Sequence, residues 1–313
     1  MIAVVTQAGF KEGMGHVMRM LCLLNELKDE LKVDATFILK KKDEVVFNFI
    51  KDRGFDVVAR NAVDVMEKIV PNAVFFDKFD VEKELAVKAK EFGKVVMFDS
   101  TTSNEFADVV VNTLVKCKCY RSCYCGLKYL VLRKEFSNFW KMKKKVKNDV
   151  EKILLMFGGS DPSNFTAKIL NLVGEFDTNF DVTVVLGPKY KYLNEVKRIA
   201  EGLEAQVLIN PNNIPELMFE SDVVVTSLGL TTFEAMCVGT PVIAICQNDL
   251  QRWLKSQMPY LKFIISRFTE FKFVEIFKKM MDFNLRKSLS DYGKSLCDGK
   301  GLFRVVELIQ NVW

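Results

Sequence analysis

Two patterns of apolar and polar positions alternate along the chain. The short apolar runs Ile2–Val5, Ala35–Leu39, Asp56–Val58, Ala73–Phe76, Val95–Phe98 and Val109–Val111 have the near-continuous apolarity of strands covered on both faces. Between them lie stretches with apolar residues three and four apart. In the clearest, His16–Leu31, the residues Val17, Leu21, Leu24 and Leu27 share one helical face, and Val81–Phe92 is a second such stretch. The alternation resumes at Lys152–Phe157 and runs through Val182–Leu186, Gln206–Ile209, Val223–Val225, Val242–Ile245 and Phe263–Ile265. Helices are predicted there near Asn164–Val173, Asn194–Gly202, Leu230–Cys237 and Val274–Phe283. Strand–helix alternation of this kind predicts parallel sheets built from βα units.

The two series are separated by Lys141-Met142-Lys143-Lys144-Lys145, which reads as a solvated hinge or helix end. The expected fold is α/β: two Rossmann-like domains, residues 1–148 and 149–313, with parallel sheets facing across a cleft. Ligands of such folds bind outside the carboxyl ends of the strands. The loops that follow strands are therefore where chemistry is sought.

Composition narrows the picture modestly. A chain of 313 residues has room for two domains, and 49% apolar with 27% charged residues is globular. The net charge of +5 is spread out and implies no nucleic-acid partner. No basic-then-apolar leader and no bilayer-length apolar run is present, so a cytoplasmic protein without stable membrane insertion is expected. Eight cysteines in that setting suggest thiols that stay free or bind metal. Cys117, Cys119, Cys123 and Cys125 are close enough together to hold zinc or an iron–sulfur cluster, but their spacing is not that of common knuckles. Free thiols on a surface loop are the simpler expectation.

Three loops carry the candidate chemistry. The first, Gly13-Met14-Gly15-His16-Val17-Met18-Arg19, leaves a strand, enters a helix and holds the single histidine of the chain. A neutral imidazole at a helix start is a candidate general base. The second, Gly158-Gly159-Ser160-Asp161-Pro162-Ser163-Asn164, opens a helix after an apolar strand; its glycines allow close approach of a phosphate, and Asp161 or Ser163 can cap the helix. The third, Ser227-Leu228-Gly229-Leu230-Thr231-Thr232-Phe233-Glu234, offers small hydroxyl residues for a diphosphate and a carboxylate for a ribose diol. Its alternative reading is a capping box, Thr231 with Glu234. Asp77 and Asp99 each end an apolar strand, where either could touch substrate or cap a turn. A dinucleotide fingerprint is disfavoured by Met18 in place of its third glycine and by Lys40-Lys41-Lys42 after the second strand. Neither a P-loop nor the Asp-x-Asp triplet of metal-dependent sugar transferases occurs.

Together these pieces resemble the UDP-sugar hydrolases of pseudaminic acid biosynthesis and the related spore-coat polysaccharide proteins, whose fold is similar to that of GT-B glycosyltransferases. The resemblance rests on Gly13-Met14-Gly15-His16 with Arg19, on Gly126-Leu127-Lys128-Tyr129 running into Leu132-Arg133-Lys134-Glu135-Phe136, and on the second and third loops. Asp298-Gly299-Lys300-Gly301 with Arg304-Val305-Val306 also fits. It implies a GT-B-like fold and release of UDP from a UDP-linked diacetamido-trideoxy sugar, with inversion at the anomeric carbon and with neither metal nor cofactor. It implies His16 as the base that activates water. Gly158, Gly159, Ser160, Ser227, Gly229, Thr231, Thr232 and Glu234 would hold UDP. Gly13, Gly15, Arg19, Asp77, Asp99, Asn248 and Gln251 would face the substrate. An inverting glycosyltransferase and a non-catalytic nucleotide-sugar binder are the alternatives. The chain departs from the resemblance at Thr6-Gln7-Ala8-Gly9, where an Arg and an Asp are usual, and at Asp99-Ser100 in place of an acidic pair.

Overall fold

The structure is a computed structural model and describes residues 1–7, 13–116, 122–178 and 180–313. The chain forms two units, Met1–Lys134 with Lys300–Trp313, and Glu135–Gly299. The first contains strands β1 (Ile2–Thr6), β2 (Ala35–Leu39), β3 (Asp56–Ala59), β4 (Ala73–Asp77), β5 (Lys94–Phe98), β6 (Val109–Asn112) and β7 (Cys123–Cys125). Helices α1 (Gly15–Leu31), α2 (Glu44–Lys51), α3 (Ala62–Ile69) and α4 (Lys83–Phe92) connect them. The strands are all parallel, in the order β3-β2-β1-β4-β5-β6-β7. Alternate side chains of the central strands enter separate cores on the two faces: Ile2 and Val4 pack with Val17, Leu21, Leu24 and Leu27 of α1, whereas Ala3 and Val5 pack with Met66, Ala86 and Ala89.

The second unit begins with α5 (Glu135–Lys141) and holds β8 (Lys152–Met156), α6 (Phe165–Gly174), β9 (Asp181–Leu186), α7 (Leu193–Gly202), β10 (Gln206–Ile209), α8 (Ile214–Glu220), β11 (Val223–Ser227), α9 (Leu230–Val238), β12 (Val242–Ile245), α10 (Asp249–Gln257), β13 (Ile264–Ile265), α11 (Glu270–Lys279) and α12 (Phe283–Leu296). Its parallel sheet runs β10-β9-β8-β11-β12-β13. A last helix, α13 (Gly301–Gln310), belongs to the first unit, where Leu302, Val305, Val306 and Ile309 enter the core against α1.

Several expectations are corrected. The division at 148/149 does not coincide with the observed one: the second unit starts at Glu135, and the chain returns to the first at Lys300. The lysine stretch is not simply solvated. Lys144 donates from Nζ to the carbonyls of Phe219 and Ser221, at 2.6 Å to the latter, and burial pushes its pKa down to about 8. Fully buried Arg286 clamps the same segment, donating to the carbonyls of Lys147 and Asn148 at 2.9 and 2.6 Å. The helix predicted over Val274–Phe283 is two helices, because Asp282 caps α12 through a 2.6 Å bond from the Leu285 amide. Cys123 and Cys125 lie on an edge strand and not in a loop, and both are disulfide-bonded and not free. Two residues apart on one strand, they project to the same face. Cys117 and Cys119 lie outside the described residues. Among the described residues no group of side chains is arranged to hold a metal ion, and no helix is long and apolar enough to cross a membrane.

The glycines of the Asp298–Gly301 motif have a packing role. A Cβ at Gly301 would lie 2.1 Å from the Leu130 carbonyl oxygen, and one at Gly299, where φ is +67°, 2.9 Å from the Ser137 amide nitrogen. Arg304 donates to the Lys128 carbonyl at 2.8 Å. The stretches 126–136 and 298–306 thus belong together because their backbones touch. Gly301→Ala is expected to lower stability by about 1–3 kcal/mol or more in urea denaturation, since backbone must move to admit the methyl group. An unchanged midpoint would show that the close approach is dispensable.

Candidate functional site

In each sheet the strand order reverses once. Loops leaving the two strands at the reversal turn to opposite faces and leave a crevice at their carboxyl ends. In the first unit those strands are β1 and β4; in the second they are β8 and β11. The candidate residues lie at or after the ends of these four strands, except Asp99, which follows β5, and Asn248 and Gln251, which follow β12.

At the first, Gly13 takes φ +77°, a left-handed conformation that favours glycine, and turns the chain into α1. His16 lies in the first turn of α1 with its side chain 11% exposed. Its Nδ1 is 2.7 Å from Oδ1 of Asp77, the last residue of β4. Arg19, three residues along the same helical face, donates from Nε to Asp77 Oδ2 at 3.0 Å and from Nη2 to Asp77 Oδ1; its Nη1 reaches Asp99 Oδ2. Asp99 follows β5 at φ +50° and accepts from the amides of Thr113 and Leu114 at 2.6 and 2.7 Å. Thr113 Oγ1 adds bonds of 3.2 Å to both Asp99 oxygens. Phe79 packs edge-on against the imidazole, ring centroids 5.2 Å apart at 75°.

Charge decides what this array can do. Burial disfavours the ionised Asp77, but the Arg19 guanidinium and His16 outweigh it and hold its carboxyl below the ordinary value of 3.8. Burial likewise opposes the charge on Arg19, yet the two carboxylates raise its pKa. An ionised carboxylate only accepts hydrogen bonds, so the imidazole nitrogen facing it carries a hydrogen. In the neutral ring the remaining lone pair is then on Nε2. This is the arrangement of a general base whose partner fixes the ring. Arg19, Asp77 and Asp99 were expected to face substrate; instead they are 3%, 0% and 0% exposed, with polar atoms bonded to one another beneath His16. The reason is mutual: burying any one of these charges requires the others. Because the Asp77 pKa is depressed in the fold, its ionisation adds stability above about pH 3.8, lost as pH falls through the lower folded value.

At the second crevice, Gly158 has φ +80°, and a Cβ there would be 3.9 Å from Ser227 Oγ, so the ends of β8 and β11 are neighbours. Gly187 must also be glycine, for a Cβ would lie 2.5 Å from the Gly158 carbonyl oxygen. The two helix starts differ. Asp161 accepts from the amides of Phe165 and Thr166 at 3.0 and 2.8 Å and from Thr166 Oγ1 at 2.7 Å, so the start of α6 already holds an internal anion. Burial pushes the Asp161 carboxyl up despite these bonds. Of the two residues expected to cap α6, Asp161 does so. Helix α9 is capped by Gly229 with no side-chain bond, which also replaces the expected Thr231 cap. It remains the candidate for an anion. Removing the α6 cap by Asp161→Ala is expected to cost about 0.5–2 kcal/mol in urea denaturation. A stability equal to that of the parent chain would mean the cap is redundant.

The remaining candidates divide by exposure. Gly158, Gly159, Gly229 and Thr231 reach the surface in part. Ser160, Ser227 and Glu234 are buried at 3%, 7% and 8% exposure. Thr232 is fully buried and donates its hydroxyl to the Ser227 carbonyl at 3.0 Å. Asn248 caps α10 by accepting from the Gln251 amide at 2.9 Å, and Gln251 accepts from the Gln247 amide at 2.7 Å. Both oxygens are thus engaged with backbone. Gln247, which sequence reasoning missed, donates to the Phe157 carbonyl at 3.1 Å and ties the end of β8 to that of β12. Phe79 was missed as well. Their one signal in the sequence is position, two residues beyond a strand end.

No protein-family model matches the chain. Over 342 residues it is 34% identical to the uncharacterized protein MJ1062 of Methanocaldococcus jannaschii, an alignment covering all of this chain and 66% of that protein. The chain thus spans just under two thirds of that relative's length. It is 24% identical over 339 residues to the spore coat polysaccharide biosynthesis protein SpsG of Bacillus subtilis, covering all of this chain and 98% of SpsG. Among solved structures, MurG of Acinetobacter baumannii superposes with a TM-score of 0.70 at 13% identity, over 99% of this chain and 100% of MurG. Anabaena HepE in complex with UDP-glucose gives 0.60 at 12% identity, with full coverage of both chains. The fold is that of GT-B glycosyltransferases, and the chain is a homologue of a polysaccharide biosynthesis protein.

Proposed function

We propose that this protein hydrolyses a UDP-linked amino sugar of the diacetamido-trideoxy type at the anomeric carbon, releasing UDP, in nonulosonic acid biosynthesis. The observation that carries the reading is the His16–Asp77 pair at a strand-order reversal, 2.7 Å apart, with Asp77 buried and ionised. Nε2 of His16 takes a proton from water as the water oxygen bonds to C1. The C1–O bond to the diphosphate breaks with inversion, and UDP leaves with the bonding pair. Amides at the start of α9, after Gly229, meet the charge that develops on the diphosphate. The relation to SpsG supports a place in polysaccharide biosynthesis, and HepE's UDP-glucose complex supports a UDP-sugar as ligand.

A glycosyltransferase reading keeps the same residues and replaces water by an acceptor hydroxyl; the GT-B fold favours it equally. A panel of UDP-sugars incubated with purified protein, chelator and no acceptor, in ¹⁸O-labelled water, separates the two. Hydrolysis puts label on the freed sugar and none on UDP. Turnover only after an acceptor is added would establish transfer. Turnover abolished by chelator would overturn the metal-free reading, and tight UDP binding without turnover on any sugar would leave a binding protein.

A further inference from the structure

Beneath the imidazole lies a second layer that the proposed reaction does not require to touch substrate. Asp99 is wholly buried, and its bonds run to Arg19, Thr113 and Leu114; Arg19 and Asp77 stand between it and His16. It is the most heavily bonded side chain of the array: two amides, one hydroxyl and the Arg19 guanidinium converge on it. It is held at φ +50°, in the left-handed region that a residue with a side chain occupies at a cost. A carboxylate needed only to close a turn would not need the guanidinium of another element. Arg19 is gripped at Nη1 by Asp99 and presents Nε and Nη2 to Asp77, so its plane sets the plane of the Asp77 carboxylate. That carboxylate in turn sets which ring nitrogen of His16 carries hydrogen.

We infer that Asp99 and Arg19 are positioning residues that hold His16 in the single tautomer bearing hydrogen on Nδ1, with Nε2 directed outward. The charge path runs Thr113 and Leu114 amides, Asp99, Arg19, Asp77, His16. Without Asp99 the guanidinium loses one of its two anchors and turns relative to Asp77, and the ring samples both tautomers. The inference rests on the reading of His16 as a base only for its consequence in turnover; the tautomer itself is independent of any substrate.

Because the chain has one histidine, a long-range ¹H–¹⁵N spectrum of protein labelled in histidine reports on this ring alone. The wild type at pH above the imidazole titration is expected to show Nδ1 proton-bearing and Nε2 bare. In Asp99→Asn the amide oxygen can still accept from Thr113 and Leu114, but its NH₂ opposes the guanidinium donor. The two nitrogen shifts are then expected to move toward each other as the tautomers mix. Circular dichroism and UDP affinity are expected to match the wild type. Arg19→Lys, which keeps the charge but loses the fork, is expected to move the shifts the same way and serves if Asp99→Asn does not fold. On a hydrolysed substrate, kcat of Asp99→Asn is expected to fall by about 10–100-fold with KM unchanged, as for outer partners of other oriented imidazoles. A wild-type ring with its hydrogen on Nε2, or folded variants with the wild-type spectrum, overturns the inference. A single Nδ1–H tautomer in a protein that hydrolyses no UDP-sugar overturns the proposed function and leaves the inference standing.

Discussion

If the proposed reaction holds, replacing His16 by Asn is expected to lower turnover of the UDP-sugar by about 10²–10⁴-fold, the usual worth of a general base, and to leave UDP affinity nearly unchanged. Asparagine is chosen because its NH₂ can still donate toward Asp77, so the buried carboxylate keeps a donor where Nδ1 stood. What disappears is the lone pair of the second ring nitrogen. Steady-state kinetics with water as acceptor and calorimetric titration with UDP make the two measurements. Nucleotide affinity falling in step with turnover would mark His16 as a UDP contact and overturn its proposed role as a base.

Arg19→Met is expected to cost about 3–5 kcal/mol of folding stability, the range found when one member of a buried ion array is removed. Methionine fills much of the same volume, so the loss is not mainly one of packing. Asp77 and Asp99, both wholly buried, are left as like charges without a cation between them. The sign of the pH dependence follows. In the wild type the Asp77 pKa lies below 3.8 in the fold, so ionisation favours the folded state as pH rises. In the variant the folded pKa of Asp77 rises above the unfolded one, stability is greatest at low pH, and it falls as pH rises through the carboxylate range. The gap between the two proteins in urea denaturation therefore widens from about pH 4 to pH 7. A gap that is constant with pH would mean the guanidinium is held for shape alone.

Much of the fold was legible because parallel strands covered on both faces need unbroken apolar runs, and Ile2–Val5, Ala73–Phe76 and Val223–Val225 are runs of that kind. Lys40 after the second strand and the absent third glycine were also enough to turn the reading away from a dinucleotide. The same reasoning failed where an element is short or held by remote packing. Strand β7 has three residues and no apolar run. Helix α13 belongs to the first unit because Gly301 meets the Leu130 carbonyl, across a sequence separation no local pattern reports. Lys144 looks solvated beside other lysines, and only the carbonyls of Phe219 and Ser221 show where its Nζ goes.

The candidate site divides the same way. By itself the amino-acid sequence determined that one imidazole follows a glycine turn into a helix, that carboxylates end the fourth and fifth strands, and that two further glycine loops follow strands. These are matters of residue order and local backbone preference, which act over a few residues. The tertiary structure alone decided that Asp77 faces His16 while Arg19 and Asp99 lie underneath, that Asp161 closes one helix start and Gly229 leaves the other without a side-chain cap. Those outcomes depend on strand order, which brings the end of β4 beside β1, and on the cost of burying a charge, which is met only by partners distant in sequence.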